Sequence, residues 1–234
     1  MMLKTFLVFF VIMSFALTVY SQDSRVLFKE DFSDLVKWQE VFFPKIEKHT
    51  TYSIEKQGDD TYLKAQSESA ASLLVYIEPF DVYTFPRVRW RWKIDGIIAT
   101  GNAKTKDGDD YPIRIYIAFE YDPDTSGFFE RAQYSAIKAL YGQYPPHSSL
   151  NYIWANKEHA EDILSSVYTG RSIMILLQKG AARAGTWVRE DINIIEDYEK
   201  AFGEKPPGRA TIGIMADSDN TGESATSYID YIMV

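Results

Sequence analysis

Asp217, Asp219 and Thr221 stand at the alternate spacing of oxygen ligands in a calcium loop, and Gly222 sits where such a loop turns sharply. An EF-hand also needs a bidentate glutamate at its twelfth position, where this chain has Tyr228. The flanking stretches TIGIMAD and SYIDYIMV alternate like strands. The segment therefore reads first as a polar connection, since Asp, Asn, Thr and Gly all favour turns. A structural calcium has a better candidate set where the first and last strands would meet: Glu30 and Asp31 of FKEDFSD with Asp230 of YIDYIMV. Asp217 and Asp219 are a less favoured pair, and no cofactor is required by any motif.

RVRWRWKI carries the strongest charge pattern. Strict alternation sends Val88, Trp90, Trp92 and Ile94 to one face and Arg87, Arg89, Arg91 and Lys93 to the other. IRIYIAFE repeats the arrangement, with Ile113, Ile115, Ile117 and Phe119 inward and Arg114, Tyr116 and Glu120 away. Sequence order suggests that the two strands are neighbours, which would make a cationic, tyrosine-bearing surface. SLNYIWAN can add Tyr152, Trp154 and Asn156 to it. GDDYP places Asp109 and Asp110 at the entrance of the second strand, to clamp Arg91 or Lys93, anchor the loop or contact ligand. The expected ligand-binding set is thus Arg89, Arg91, Lys93, Asp110, Arg114, Tyr116, Tyr152 and Trp154. Guanidinium forks recognise carboxylates and aromatic faces stack on sugar rings, so the expected partner is a glycan or another polar or anionic small ligand. The competing reading is a solvated outer face whose cations pair with Asp and Glu on adjacent strands.

Catalysis is less well supplied. Elimination across a uronic acid needs a cation and a base, and Arg91, Arg114 and Tyr116 are of the right types for a polysaccharide lyase. Glycoside hydrolysis needs two carboxylates; Glu120 and Asp122 begin an E-x-D-x-x-E pattern, but Pro123 interrupts the strand and Thr125 replaces the second glutamate. His49, His147 and His159 form no zinc-binding spacing, and there is no nucleophile elbow, P-loop or dinucleotide fingerprint. Non-catalytic ligand binding is the leading expectation. The alternatives are a lyase acting on an acidic glycan and an envelope scaffold or interaction module.

The elements expected to carry these residues are mostly strands. TYSIEKQ, TYLKAQ, SLLVYIEPF, RVRWRWKI and IRIYIAFEY are followed by SLNYIWAN, SIMILLQ, TWVREDI, ATIGIMA and ATSYIDYIMV, with a tight hairpin at Gly58–Asp60. Short strands with polar turns predict an all-β fold, a two-sheet antiparallel sandwich or jelly roll. Two helices interrupt it. Ser126 to Tyr141 places Phe129, Ala132, Ala136, Ile137 and Leu140 on one stripe with Gly142 to close it, and Asn193 to Phe202 offers an N-cap, Glu196 three residues on, and Gly203 as a stop.

The chain of 234 residues opens with Lys4 and an apolar stretch from Phe6 to Val19, with Val19 and Ser21 suited to signal-peptidase cleavage. This predicts an export signal at 1–21 and a single sandwich domain at 22–234, exported to the periplasm or beyond, with no membrane span after cleavage. Cysteine is absent, which excludes disulfides and thiol chemistry, so stability must come from a buried core. The net charge of −8 argues against a nucleic-acid partner.

EDFSDLVKWQEVFFPKI, ESAASLLV, PRVRWRWKID, KDGDDYPIRIYIAFEYD and ADSDNTGESATSYIDYI together resemble an exported bacterial family known as domain of unknown function 3047. That resemblance implies a bacterial, periplasmic or surface setting and supplies no catalytic residue. The opening EDF-S-x-L-x-x-W and the closing Y-I-D-Y-I are also similar to concanavalin-like and carbohydrate-binding sandwiches, a likeness of architecture.

Overall fold

Alternating polarity at a period of two, sustained through most of the chain, produces strands most of which are buried on at least one face. In the computed structural model, which describes residues 25–58, 60–141 and 144–234, the elements follow one another in this order. They are β1 (Lys29–Glu30), β2 (Trp38–Val41), β3 (Thr51–Gln57), β4 (Asp60–Glu68), β5 (Ala71–Tyr76), β6 (Phe80–Asp81), β7 (Arg87–Ile94) and β8 (Tyr111–Phe119). Then come α1 (Phe128–Tyr141), β9 (Ser148–Ala155), β10 (Ile163–Ser165), β11 (Ser172–Lys179), β12 (Val188–Asn193), α2 (Ile194–Phe202), β13 (Arg209–Asp217) and β14 (Ser224–Met233). The expected export signal at 1–21, Asp59 in the hairpin turn, the helix stop at Gly142 and the side chains of Ile137 and Leu140 lie outside the described residues.

Two sheets form the all-β sandwich. The first has the order β12-β7-β14-β4-β3, with β1 also on β14; the second runs β10-β11-β9-β8-β13-β5-β2, with β6 on β13. Pairing is antiparallel except that β11 runs parallel to β9, a departure from the expected all-antiparallel arrangement. The connection at 156–171 makes the return crossover that a parallel pair requires, and it contributes β10 on the way. Gly58, at φ +65°, turns the hairpin between β3 and β4.

The interior is aromatic. Trp90 and Trp92 of β7 meet Tyr152 and Trp154 of β9 across the gap between the sheets, at ring separations of 5.6 Å for Trp90–Tyr152 and 5.9 Å for Trp92–Trp154. Isoleucines at 113, 115, 117, 212, 214, 229 and 232 fill the layers around them. Trp154 donates Nε1–H to the carbonyl of Gly180, and Tyr152 donates its hydroxyl to Asp197 of α2, so both polar ends are satisfied.

α2 begins where expected: the Asn193 side chain accepts from the N–H groups of Ile195 and Glu196, and Gly203 ends it in the left-handed region at φ +74°. It packs through Tyr198, whose ring meets Phe119 at 4.7 Å. In α1 the expected apolar stripe is not the buried one, because Phe129, Ala132 and Ala136 are exposed. Tyr134 instead anchors the helix by stacking on Tyr121 at 3.7 Å. Among the described residues no helix is long and apolar enough to cross a membrane.

Candidate functional site

The cationic strand and its presumed neighbour do not share a surface. β7 lies in the six-stranded sheet and β8 in the eight-stranded one, because residues 95–110 cross from one layer to the other. Both strands turn their apolar residues into the common core, so their polar faces look away from each other. Arg89, Arg91 and Lys93 are therefore on one outer face of the sandwich, and Arg114 and Tyr116 on the opposite one. Tyr152 and Trp154, expected beside them, point into the core and are fully buried. The lyase trio is divided in the same way, with Arg91 apart from Arg114 and Tyr116.

On the six-stranded sheet the cations are largely compensated. Asp191 pairs with both Arg87 and Arg89, and Asp230 Oδ2 lies 2.8 Å from Arg91 Nε. Lys93 has its ammonium over the rings of Tyr228 at 4.3 Å and Trp187 at 5.1 Å. This is the solvated, paired face that the competing sequence reading describes.

A groove opens on the outer face of the eight-stranded sheet instead. It measures about 260 Å³ and is lined by residues of β8, β9, β11 and β13 together with Phe43 and Ile46, Asp109, Ser166 and Tyr168, and Asp219 and Asn220 from four connections. Arg114 pairs with Met215 and so shares a face with Asp217, and a register shift on β8 between Arg114 and Tyr111 sets Tyr111 opposite Asp217. Gly213 pairs with Tyr116 on the same sheet: a Cβ there would lie 3.0 Å from Leu73 Cδ1 and 3.4 Å from Tyr116 Cβ, so a larger residue would push the Leu73 side chain aside by a few tenths of an ångström.

Arg114 is the floor of the groove. It is 5% exposed, bonded through Nη2 to Asp217, 3.8 Å from Asp109, and its guanidinium carbon lies 4.8 Å and 5.5 Å from the rings of Tyr111 and Tyr116. Burial alone would lower the proton affinity of the guanidinium, and the Asp217 carboxylate together with Tyr116, Asp109 and Tyr111 more than restores it. Burial pushes Asp217 up, as do Asp110, Asp109 and Asp219, with Arg114 pulling the other way. Asp109 and Asp219 are raised by burial as well. Burial also pushes the Tyr116 hydroxyl up to about 12, so at neutral pH it donates a proton bond and is poorly suited to abstract a proton.

The segment that resembled a calcium loop forms one wall. Asp110 reaches neither Arg91 nor Lys93; its two carboxylate oxygens accept the backbone N–H groups of Asn220 and Thr221, which anchors the loop. Asn220 Nδ2 then donates to the carbonyl of Lys106 and to the Tyr168 hydroxyl, joining three connections. Gly222 completes the turn at φ +73°. Among the described residues, Asp110, Asp217 and Asp219 are the acidic group whose ligand atoms all come within 4.8 Å of one another. Glu30, Asp31 and Asp230 form no such group. Glu30 accepts from Trp38 Nε1 and the Phe32 N–H, Asp31 accepts from the Ser33 N–H, and Asp230 serves Arg91. Glu120 and Asp122 are also outside the groove: Glu120 pairs with Arg209, and Asp122 caps the following turn.

Sequence reasoning missed Asn151 and Tyr168. Asn151 neighbours Tyr152 on β9, where both faces are buried, so alternation alone could not say which residues turn outward. Its Nδ2 donates to Ser172 Oγ, yet among the described residues its Oδ1 is buried without a partner, as is Arg114 Nε. Tyr168 is 57% exposed at the rim; a single tyrosine in a connection gives no periodic signal.

The chain belongs to the family described as "Protein of unknown function (DUF3047)", which matches residues 36–233. No curated protein matches its sequence. Among solved structures, it is similar to the family 11 carbohydrate-binding module from Clostridium thermocellum in complex with a β-1,3-1,4-mixed-linked tetrasaccharide. The identity there is 12% and the TM-score 0.40, over 89% of this chain and 94% of that one. The corresponding module of the cellulase Lic26A-Cel5E of the same organism gives 10% identity and a TM-score of 0.42 over 90% and 93%. Winged bean acidic lectin complexed with methyl-α-D-galactose gives 10% and 0.35 over 84% and 97%.

Proposed function

We propose that this family member binds a hydroxyl-rich glycan in the groove on the outer face of the eight-stranded sheet, without changing it chemically. The observation that carries the reading is the pair of unpartnered groups. Asn151 is 3% exposed and Arg114 5% exposed; among the described residues the Oδ1 acceptor of the one and the Nε donor of the other have no partner, and both residues line the same opening. Leaving a buried polar atom unsatisfied costs about 1–3 kcal/mol. A sugar hydroxyl, which both donates and accepts, can answer either atom.

The rim suits the same ligand. Tyr168 offers an exposed ring held by hydrogen bonds at its hydroxyl, the combination of apolar face and polar handle that favours sugar stacking. The volume of about 260 Å³ falls just below the roughly 300–1,000 Å³ of ligand pockets, and so suits one or two sugar rings of a glycan. The apolar segment from Phe6 to Val19 supports a place of action outside the cytoplasm.

Isothermal titration of a panel of neutral, amino and acidic oligosaccharides tests the proposal. Saturable binding of at least one that weakens at least tenfold in Tyr168→Ala, with the oligosaccharide recovered intact, is expected. A panel in which no oligosaccharide binds overturns it.

A further inference from the structure

Four carboxylates, those of Asp109, Asp110, Asp217 and Asp219, gather about the single guanidinium of Arg114. The sequence suggested a cationic surface; the groove is its electrostatic opposite. The other charged group facing the rim is Lys106, whose ammonium is 5.5 Å from the Tyr168 ring centre. Asp110 is occupied by the loop backbone, Asp217 by Arg114, and Asp109 by the Tyr111 hydroxyl. Asp219 differs: it lines the groove, is half-buried, and has no partner among the described residues beyond its own backbone N–H.

The Asp219 carboxylate and the buried Oδ1 of Asn151, both lining the groove, are two acceptors without donors among the described residues. A ligand carboxylate or sulfate would add negative charge to a partly desolvated site already short of cations, which is costly. An ammonium group would supply both charge and donors. We infer that the groove selects an amino sugar with a free, protonated amine, placed against Asp219 and Asn151, and discriminates against acidic glycans. This rests on the groove being the glycan site and adds the charge class of the ligand.

Three tetrasaccharides test it, one of glucosamine, one of glucose and one of galacturonic acid, titrated at about pH 6 so that the amine carries its proton. The glucosamine tetramer is expected to bind about fivefold or more tightly than the glucose tetramer, the size of one charge pair at a half-buried position. The galacturonate tetramer should bind weakest, and Asp219→Asn should reduce the amine's advantage to within about twofold. Equal binding of amino and neutral tetramers, tighter binding of the uronate, or an advantage that survives Asp219→Asn overturns the inference and leaves the groove a glycan site. Binding of none of the three overturns the site reading beneath it.

Discussion

The Arg114 guanidinium is bonded to the Asp217 carboxylate and stands against the rings of Tyr111 and Tyr116, at 4.8 Å and 5.5 Å from their centres. Both members of the pair are nearly or fully removed from solvent. Breaking such a pair from one side strands the other charge in a poor solvent, at a cost of about 3–5 kcal/mol. Arg114→Met should therefore lower the urea midpoint by an amount corresponding to that loss. An unchanged midpoint would show that Asp217 is satisfied without the arginine.

Trp154 and Tyr168 separate stability from binding. Trp154 is wholly buried against Trp92, so Trp154→Ala should cost about 3–5 kcal/mol in chemical denaturation. Tyr168→Ala, at an exposed rim, should change stability by no more than about 0.5 kcal/mol while weakening glycan binding. A Tyr168 variant that unfolds as readily as the Trp154 variant would contradict this assignment.

The raised carboxyls set a pH dependence with a definite sign. Burial lifts Asp219 and Asp109 above the ordinary aspartate value of 3.8. In the window between the unfolded and folded values the folded state holds more protons, so their contribution is fully present below the unfolded value and is lost as pH rises through the folded one. Glu223 acts oppositely: hydrogen bonds from Thr100 and Ala99 lower it, and its contribution is lost as pH falls through its folded value. Denaturation midpoints measured upward from about pH 4 should decline less steeply in Asp219→Asn than in the wild type. Equal slopes would remove Asp219 from the account.

The opposite face serves as the internal control. Arg89→Ala and Arg91→Ala remove partly exposed ion pairs, each worth at most about 1 kcal/mol. Glycan affinity should be the same in these variants as in the wild type. Loss of binding on either substitution would move the site to the six-stranded sheet.

Strand positions were legible because alternation is a local property; TYSIEKQ and RVRWRWKI coincide with β3 and β7 to the residue. Sheet membership was not, since it depends on where residues 95–110 lead the chain, and nothing periodic in that segment encodes a change of layer. Tyr152 and Trp154 were misplaced for a related reason. On β9 the residues from Asn151 to Ala155 are all buried, so neither phase of the alternation stood out. Asp217 and Asp219 were singled out by their spacing, yet their proximity to Asp110 and Arg114 arises from tertiary pairing between β13 and β8.

Asn220 donates from one amide nitrogen to the Lys106 carbonyl and to the Tyr168 hydroxyl, while its own N–H is held by Asp110. Three separate connections are thus fastened at a single side chain before any ligand arrives. A preorganised rim of this kind spares the ligand the entropy of ordering it, so association should proceed in one kinetic phase without a slow closing step.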